Sequence, residues 1–159
     1  MTLVIRQATA LDYGAVSLLY RQVDDLHSAS LPQAFRATEG PSRGLTYVES
    51  LLEDEAACIL LAERAGKVVG LINVSLRESP PLSFLVPRRM GSVDDLVVDG
   101  AARRSGVGRA LMAEAETWAR ERGASAMELN VYDFNADAID FYQELGYRTL
   151  SRRLHKRLM

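Results

Sequence analysis

The chain has one cysteine, two histidines and one tryptophan in 159 residues, and no apolar run approaches the ~20 residues that a bilayer requires. Each shortage excludes something. A lone thiol, Cys58, cannot form an internal disulfide, which fits a reducing cytoplasm. Cys58 lies inside the apolar run "AACILLA" and reads as an ordinary core residue. Cys58, His27 and His155 are far apart in sequence and none has a close ligand partner, so no metal site is expected. A net charge of −2 supplies no basic field, so nucleic acid is not an expected partner. The opening "MTLVIRQATA" lacks an apolar core followed by a small-residue cleavage site, so neither a secretory signal nor membrane association is expected and the expected location is cytoplasmic. Repeats, low-complexity tracts and long linkers are missing too, which makes residues 1–159 a single expected domain.

What is present is alternation between β-type and helical patterns. "LVIRQA" reads as an opening strand, and "TALDYGAVSLLYRQVDDLH" as a helix with Val16, Leu19, Tyr20 and Val23 on one face. The stretch from Ser28 to Gly44 carries prolines and glycines and reads as loop, before a second helix over Leu45 to Glu55. "ACILLAE" and "KVVGLINVSL", joined by "RAG", form a hairpin signal. The proline-rich "RESPPLSFLVPRR" leads into a further strand, "GSVDDLVVD". From Gly106 to Arg122 an apolar stripe of Val107, Leu111, Ala115 and Trp118 predicts a helix stopped by Gly123. "AMELNVY" is another strand. Asn135 or Asp137 then caps a helix bearing Phe141, Tyr142 and Leu145, ended by Gly146. "YRTLSRRLHKRLM" is expected as one strand or a very tight pair. The order β, α, α, β, β, β, α, β, α, β predicts an α+β (mixed α/β) fold and not a doubly wound parallel one.

The stretch "ARRSGVGRAL" places glycines and arginines directly in front of a helix. A P-loop would need Gly-Lys-Ser/Thr, and a dinucleotide fingerprint would need a small residue where Leu111 stands, so both readings fail. What remains is a turn in which the N–H groups of Gly106, Val107, Gly108 and Arg109 begin a helix and face an anion, with Arg103, Arg104 and Arg109 adding charge. The same pattern also serves as a plain strand-to-helix turn.

"VVDGAARRSGVGRALM" resembles motif A of the GNAT superfamily of N-acetyltransferases, in Arg103-x-x-Gly106-x-Gly108. "NADAIDFYQELGY" resembles its motif B, in Asn135, Ala138, Phe141, Tyr142, Gly146 and Tyr147. The two stand in the family's order, and the element order over nearly the whole chain is similar to the family fold. That fold is a mostly antiparallel sheet of about 6–7 strands, splayed at a parallel pair and flanked by about four helices. The resemblance implies acetyl-CoA as acyl donor and direct attack on it by a primary amine in a ternary complex. It implies that Arg103, Arg104, Gly106, Val107, Gly108 and Arg109 hold the pyrophosphate. The pantetheine arm would run along Leu96, Val97 and Val98, helped by Asn135, and Tyr142 would reach the thioester sulfur.

Tyr142 also belongs to the apolar stripe of its helix, where periodicity alone makes it core. Asp94 and Asp95 match an acidic pair found on this strand in several relatives, and are the candidates for deprotonating the amine. Strict alternation puts Asp95 with Val93 and Val97, although the family's bulge in this strand would break that parity. His27 and Glu49 are acceptor-side candidates from the N-terminal helical region. Departures from the family pattern are Gly100 where proline is common, Ala102 where an aromatic is common, and Arg104 where glycine is frequent. The C-terminal stretch is short for the usual final hairpin. That implies a reduced sheet edge, or one completed by a second subunit as a homodimer. A transferase using a longer acyl-CoA, or a non-catalytic acyl-CoA-binding regulatory module, would share these features.

Overall fold

The structure is a computed structural model that describes residues 2–159. Its elements are β1 (Leu3–Gln7), α1 (Tyr13–Ser30), α2 (Leu45–Glu53), β2 (Ala57–Arg64), β3 (Lys67–Glu78), β4 (Arg89–Val98), α3 (Val107–Glu121), β5 (Ala126–Leu129) and α4 (Ala136–Glu144). Short 3₁₀ turns at Ala10–Asp12 and Gly100–Ala102 lead into α1 and towards α3. The sheet runs β1-β2-β3-β4-β5, antiparallel throughout except for the parallel β4–β5 pair. The α+β class and the splayed parallel pair are as expected.

Alternation in the strands sorts the side chains into two cores. Cys58, Leu60, Ala62, Ile72 and Val74 face α3, where Val107, Leu111, Met112, Ala115 and Trp118 complete one cluster. Ile59, Leu61, Leu71 and Val97 face the other way and pack on Val16, Leu19, Tyr20 and Val48 of α1 and α2. Each fully buried aliphatic side chain contributes about 1.5–3 kcal/mol by leaving water, so these two layers hold the sheet between the helices. At Gly70 an added Cβ would lie 2.9 Å from Val107 Cγ1, so only glycine lets the first turn of α3 sit this close to β3.

Local boundaries differ from the sequence reading in instructive ways. Thr9 does not begin α1. Its N–H donates to Asp12 Oδ2 (2.8 Å), which shapes the 3₁₀ turn, and the helix starts at Tyr13 and runs on to Ser30. Arg6 of β1 grips Asp12 with two hydrogen bonds of 2.8 and 2.9 Å and so ties the sheet to this turn. β3 extends into Arg77 and Glu78, and β5 stops at Leu129. The largest correction concerns the sheet's far edge. It has five strands among the described residues, not six or seven, because the expected terminal strand does not form. Residues 148–159 carry no helix or strand and are exposed throughout.

Candidate active site

The site begins with one extra residue in β4. Asn73 pairs with Asp95 and Val74 with Val93, so Asp94 has no partner on β3 and forms a β-bulge. The bulge resets the alternation. Val93 faces α3, whereas Val97 faces α1 and α2. Strict parity, which would keep Asp95 with Val93, is therefore wrong here. Both acids lie on the α1/α2 side. Asp94 accepts from Ser75 Oγ (2.6 Å), Ser92 Oγ (3.0 Å) and Arg77 Nη2 (3.3 Å). Asp95 accepts from Arg43 Nη1 (2.9 Å) and lies 3.5 Å from Asn73 Nδ2.

Pairing between β4 and β5 ends at Val93 and Leu129, directly before the bulge. From Asp94 to Val98, β4 has a strand neighbour on one side only. The Asp99 N–H donates to Val69 C=O (2.8 Å), so Val97, two residues back, also turns its main chain to β3. Leu96 and Val98 therefore present their N–H and C=O groups to the gap. The sequence had named Leu96, Val97 and Val98 together. Alternation separates the middle one from its neighbours.

One end of the gap is the N-terminus of α3. Gly106 is the N-cap at φ +85°, a left-handed conformation suited to glycine, and its C=O accepts the first helical bond, from Ala110 (3.0 Å). The N–H groups of Val107, Gly108 and Arg109 precede any intrahelical acceptor and are free for a ligand. A Cβ at Gly106 would meet no atom within 4 Å, so the space beside that turn is open. Gly108 serves a second purpose, because a Cβ there would lie 3.2 Å from Phe141 Cζ and push α4 outward. Arg103, Arg104 and Arg109 are exposed around this turn, and Arg103 Nε reaches Val98 C=O at 3.4 Å. Arg104 holds φ +59° without being glycine, a local strain at the position where the sequence motif favours glycine.

Beside the N-terminus of α3 packs α4, whose Phe141 ring stands next to Gly108. Asn135 is its N-cap, with Oδ1 accepting from the Ala138 N–H (3.2 Å), so that side chain has a structural task of its own. Tyr142 packs its ring at 5.3 Å from Phe141 and 5.9 Å from Tyr147. Burial, with the charge of Asp95 adding to it, pushes the Tyr142 phenol up to about 12. It is a neutral O–H donor throughout the physiological range.

Behind the two acids lies an ion network that the sequence did not disclose. Arg43, in the loop before α2, bonds Asp24 of α1 through Nε (3.0 Å) and Nη2 (2.8 Å) while its Nη1 holds Asp95. Its guanidinium carbon stands 4.0 Å from the centroid of the buried Tyr20 ring. Burial alone would lower the Arg43 pKa, but the two carboxylates outweigh it and hold the cation charged. Burial opposes ionisation of Asp24 too, and the Arg43 hydrogen bond again prevails, keeping that carboxyl below its ordinary range. Asn73 is 2% exposed and its Oδ1 has no partner, an orphan acceptor beside Asp95.

His27 and Glu49 fall on different helices. Glu49 is half-buried on α2 and makes no ion pair among the described residues. His27, near the end of α1, places Nδ1 2.8 Å from Val23 C=O and packs against Phe35, Tyr132 and Phe134 with ring centroids 5.0–5.8 Å away. This aromatic group joins α1 to the segment between β5 and α4. Cys58 is buried in the core, with its thiol pushed up by burial, and takes no part in the cleft.

Comparison with known proteins agrees with this geometry. The profile of the Acetyltransferase (GNAT) family matches residues 20–147. Mycothiol acetyltransferase of Amycolatopsis mediterranei is 33% identical over 67% of the chain, and human N-acetyltransferase 8 is 29% identical over 63%. The chain spans well under half the length of these relatives, 37% and 42% respectively. A mutant of the BH1408 protein from Bacillus halodurans superposes with a TM-score of 0.94 at 29% identity, covering 98% of this chain and 99% of that one. An aminoglycoside N-acetyltransferase in complex with CoA shares the fold at a TM-score of 0.74 and 18% identity, covering 98% of this chain and 99% of its own. A profile match over most of the chain, joined to the splayed β4–β5 pair and the glycine turn before α3, shows that the chain belongs to the GNAT family of acetyltransferases.

Proposed function

We propose that the protein is an acetyl-CoA-dependent N-acetyltransferase that acts on a primary amine by direct attack in a ternary complex. One observation carries the reading: a gap in the sheet has helical N–H donors at one end and main chain without a strand partner along one side, and Tyr142, on the helix that packs at that end, would supply a protonated hydroxyl to it. The cradle suits a pyrophosphate, since the Gly106 turn leaves open space where donors and helix dipole converge. Gly106, Val107, Gly108 and Arg109 would hold that group, with Arg103 and Arg104 at its rim. Leu96 and Val98 would pair with the amides of the pantetheine arm, with Asn135 beside it. When bound, acetyl-CoA supplies an activated acyl group whose C–S bond breaks as a C–N bond forms.

The chain's own residues then manage charge. The N–H of Leu96 or Val98, facing the gap, is placed to stabilise an oxyanion. Tyr142 donates to the departing sulfur. Full transfer from a phenol at about 12 to a thiolate of ordinary pKa near 8.5 is uphill by roughly 5 kcal/mol. A hydrogen bond that stabilises the thiolate is therefore the dominant contribution. Asp95, close to Tyr142 and held by Arg43, offers its remaining lone pairs to the amine N–H groups, and the orphan Asn73 Oδ1 offers another acceptor. Asp94 is turned to Ser75, Ser92 and Arg77 and is the weaker candidate. His27 with its aromatic neighbours borders the acceptor side, where cation–π contact suits an ammonium ion. A cytoplasmic setting belongs to the same reading, because the donor pool is there.

The test is thiol release from acetyl-CoA with a panel of amines: small polyamines, amino sugars, peptide N-termini and lysine peptides. Amine-dependent release supports the reading. Tight CoA binding without release to any amine would leave the non-catalytic module, and release only from longer acyl-CoA donors would move the assignment to them.

A further inference from the structure

We infer that Gln22 of α1 is a positioning residue for the Gly106 turn: its carboxamide clamps the point where the chain leaves β4 and so fixes the approach to the N-terminus of α3. Gln22 lies outside that turn, and its role rests on the proposed binding of CoA there.

The connection from β4 to α3 begins at a weak point. Gly100 is exposed, a Cβ there would meet no atom within 4 Å, and the residue opens the 3₁₀ turn Gly100–Ala102. Glycine loses more freedom on ordering than any other residue, so an untethered glycine here would let the connection pivot. The first N–H of a helical turn also has no acceptor within the turn. Asp99, the N-cap, does not supply one, because its side chain makes no cap hydrogen bond.

Gln22 answers both needs. Its Oε1 accepts from the Gly100 N–H (3.1 Å), and its Nε2 donates to Asp99 Oδ1 (3.0 Å). The two partners are neighbours in the chain, 77 and 78 residues from Gln22. A carboxamide satisfies this pair in one orientation only, since exchanging its oxygen and nitrogen would set donor against donor and carbonyl against carboxylate. Among the described residues these are the only side-chain hydrogen bonds between α1 and residues 99–109.

The clamp completes a set of anchors on one short stretch. The Asp99 N–H donates to Val69 C=O on β3 (2.8 Å), and Lys67 Nζ stands 3.9 Å from Asp99 Oδ2. The Asp99 C=O accepts from the Ala102 N–H (2.8 Å), and Ala102 is buried in the α3 core. Arg64 of β2 holds the far end through Ser105 Oγ (3.2 Å). Between these points stand Arg103 and Arg104, and directly after them the free N–H groups of Val107, Gly108 and Arg109. Gln22 bonds only to Asp99 and Gly100, so it acts on the donor site through the path of the main chain.

The test is titration calorimetry with CoA on the full chain, with amide exchange of the unliganded protein beside it. Gln22→Ala keeps a strong helix former on α1 and should keep its circular dichroism. Its CoA dissociation constant should rise about fivefold to tenfold, as the loss of a clamp of two ordinary hydrogen bonds implies. With a responsive amine the KM for acetyl-CoA should rise by the same factor, while kcat holds within about twofold. Amides from Ala102 to Gly108 should exchange faster. The decisive variant adds Gly100→Pro to Gln22→Ala. Proline has no N–H to satisfy, suits the first residue of a helical turn, and follows well from Asp99 at ψ 134°. Shortening Gln22 to alanine leaves room for the proline ring. The double variant should recover CoA affinity and exchange protection to within about twofold of wild type, which a general loosening of α1 would not allow. Unchanged CoA affinity in Gln22→Ala, or a loss that Gly100→Pro does not recover, overturns the inference. Wild-type protein that binds no CoA overturns the proposed function instead, and exchange at the turn then decides the role of Gln22.

Discussion

Arg43→Ala is the sharpest perturbation that the structure offers. The guanidinium makes three charged hydrogen bonds of 2.8–3.0 Å to two carboxylates, with side-chain exposures of 19% for Arg43, 28% for Asp24 and 13% for Asp95. Removing one member of a fully buried pair costs about 3–5 kcal/mol, because the remaining charge is left without a partner. The residual exposure here reduces that figure, while loss of the stacking on Tyr20 adds to it. The expected loss is about 3 kcal/mol, or roughly 6–12 °C in Tm for a domain of this size. The cause is the unpaired carboxylates, so Arg43→Ala combined with Asp24→Asn and Asp95→Asn should be markedly less destabilised than the sum of the single variants. Urea unfolding at pH 7 measures both quantities. The pH dependence has a definite sign. Asp24 is depressed in the folded protein, so its contribution is full above the unfolded carboxyl pKa and is lost as pH falls through the lower folded value. The gap between wild type and Arg43→Ala should therefore narrow below pH ~4. A loss under ~0.5 kcal/mol, or strict additivity of the variants, would refute the reasoning.

Tyr142→Phe should lower kcat by about 10²–10³-fold and change the KM for acetyl-CoA less than twofold, since the ring packing is kept and the donor is lost. The wild-type kcat profile should show no alkaline limb from this residue below pH ~10, because the phenol stays protonated to about 12. Gly106→Val places a branched side chain at φ +85° beside the proposed anion site. Titration calorimetry should show CoA binding weakened at least tenfold, and unfolding should show a stability loss of about 1–2 kcal/mol. Asp12→Asn should lose about 1 kcal/mol at pH 7, and the gap between the urea midpoints of the two proteins should begin to narrow only below the ordinary carboxylate range and close in stronger acid. The Arg6 hydrogen bond depresses the Asp12 pKa, and that stabilisation fades as pH falls through the folded value.

Periodicity disclosed what local patterns can encode. The stripe of Val107, Leu111, Ala115 and Trp118 announced α3, and the β-type run Ala57–Glu63 announced a strand, which the structure buries on both faces. The glycine turn was legible because only glycine suits φ +85° before a helix. Arg43 was not legible. It sits in a loop with no period, and its partners are 19 and 52 residues away, on a helix and a strand that only tertiary packing brings together. The acidic character of α1 offered a hint in Asp24, but acids on a helix face are ordinarily solvated. The expected last strand did not form. Residues 148–159 are exposed throughout and carry no strand, although the outer edge of β5 is open among the described residues. Three spaced leucines among five basic residues bury too little apolar surface to hold the segment there.

The bulge at Asp94 connects these observations, because one inserted residue changes three things at once. It gives Asp94 and Asp95 a common side, where alternation would have divided them across the sheet. It exchanges the faces of everything after it, so that Val97 joins the α1/α2 core while Leu96 and Val98 pack against the α3 side. It also stands directly after the last β4–β5 pair, and the added local twist of a bulge turns β4 away from its parallel neighbour there. The gap, the main chain that lines it and the Asp95 carboxylate held by Arg43 thus share one origin. The cost is a stretch of β4 with unpaired main chain and two acids on a partly buried face. Arg43, Asn73, Ser75 and Arg77 answer that cost directly, which gives the polar residues around the cleft a structural reason to be where they are, in addition to any part in acyl transfer.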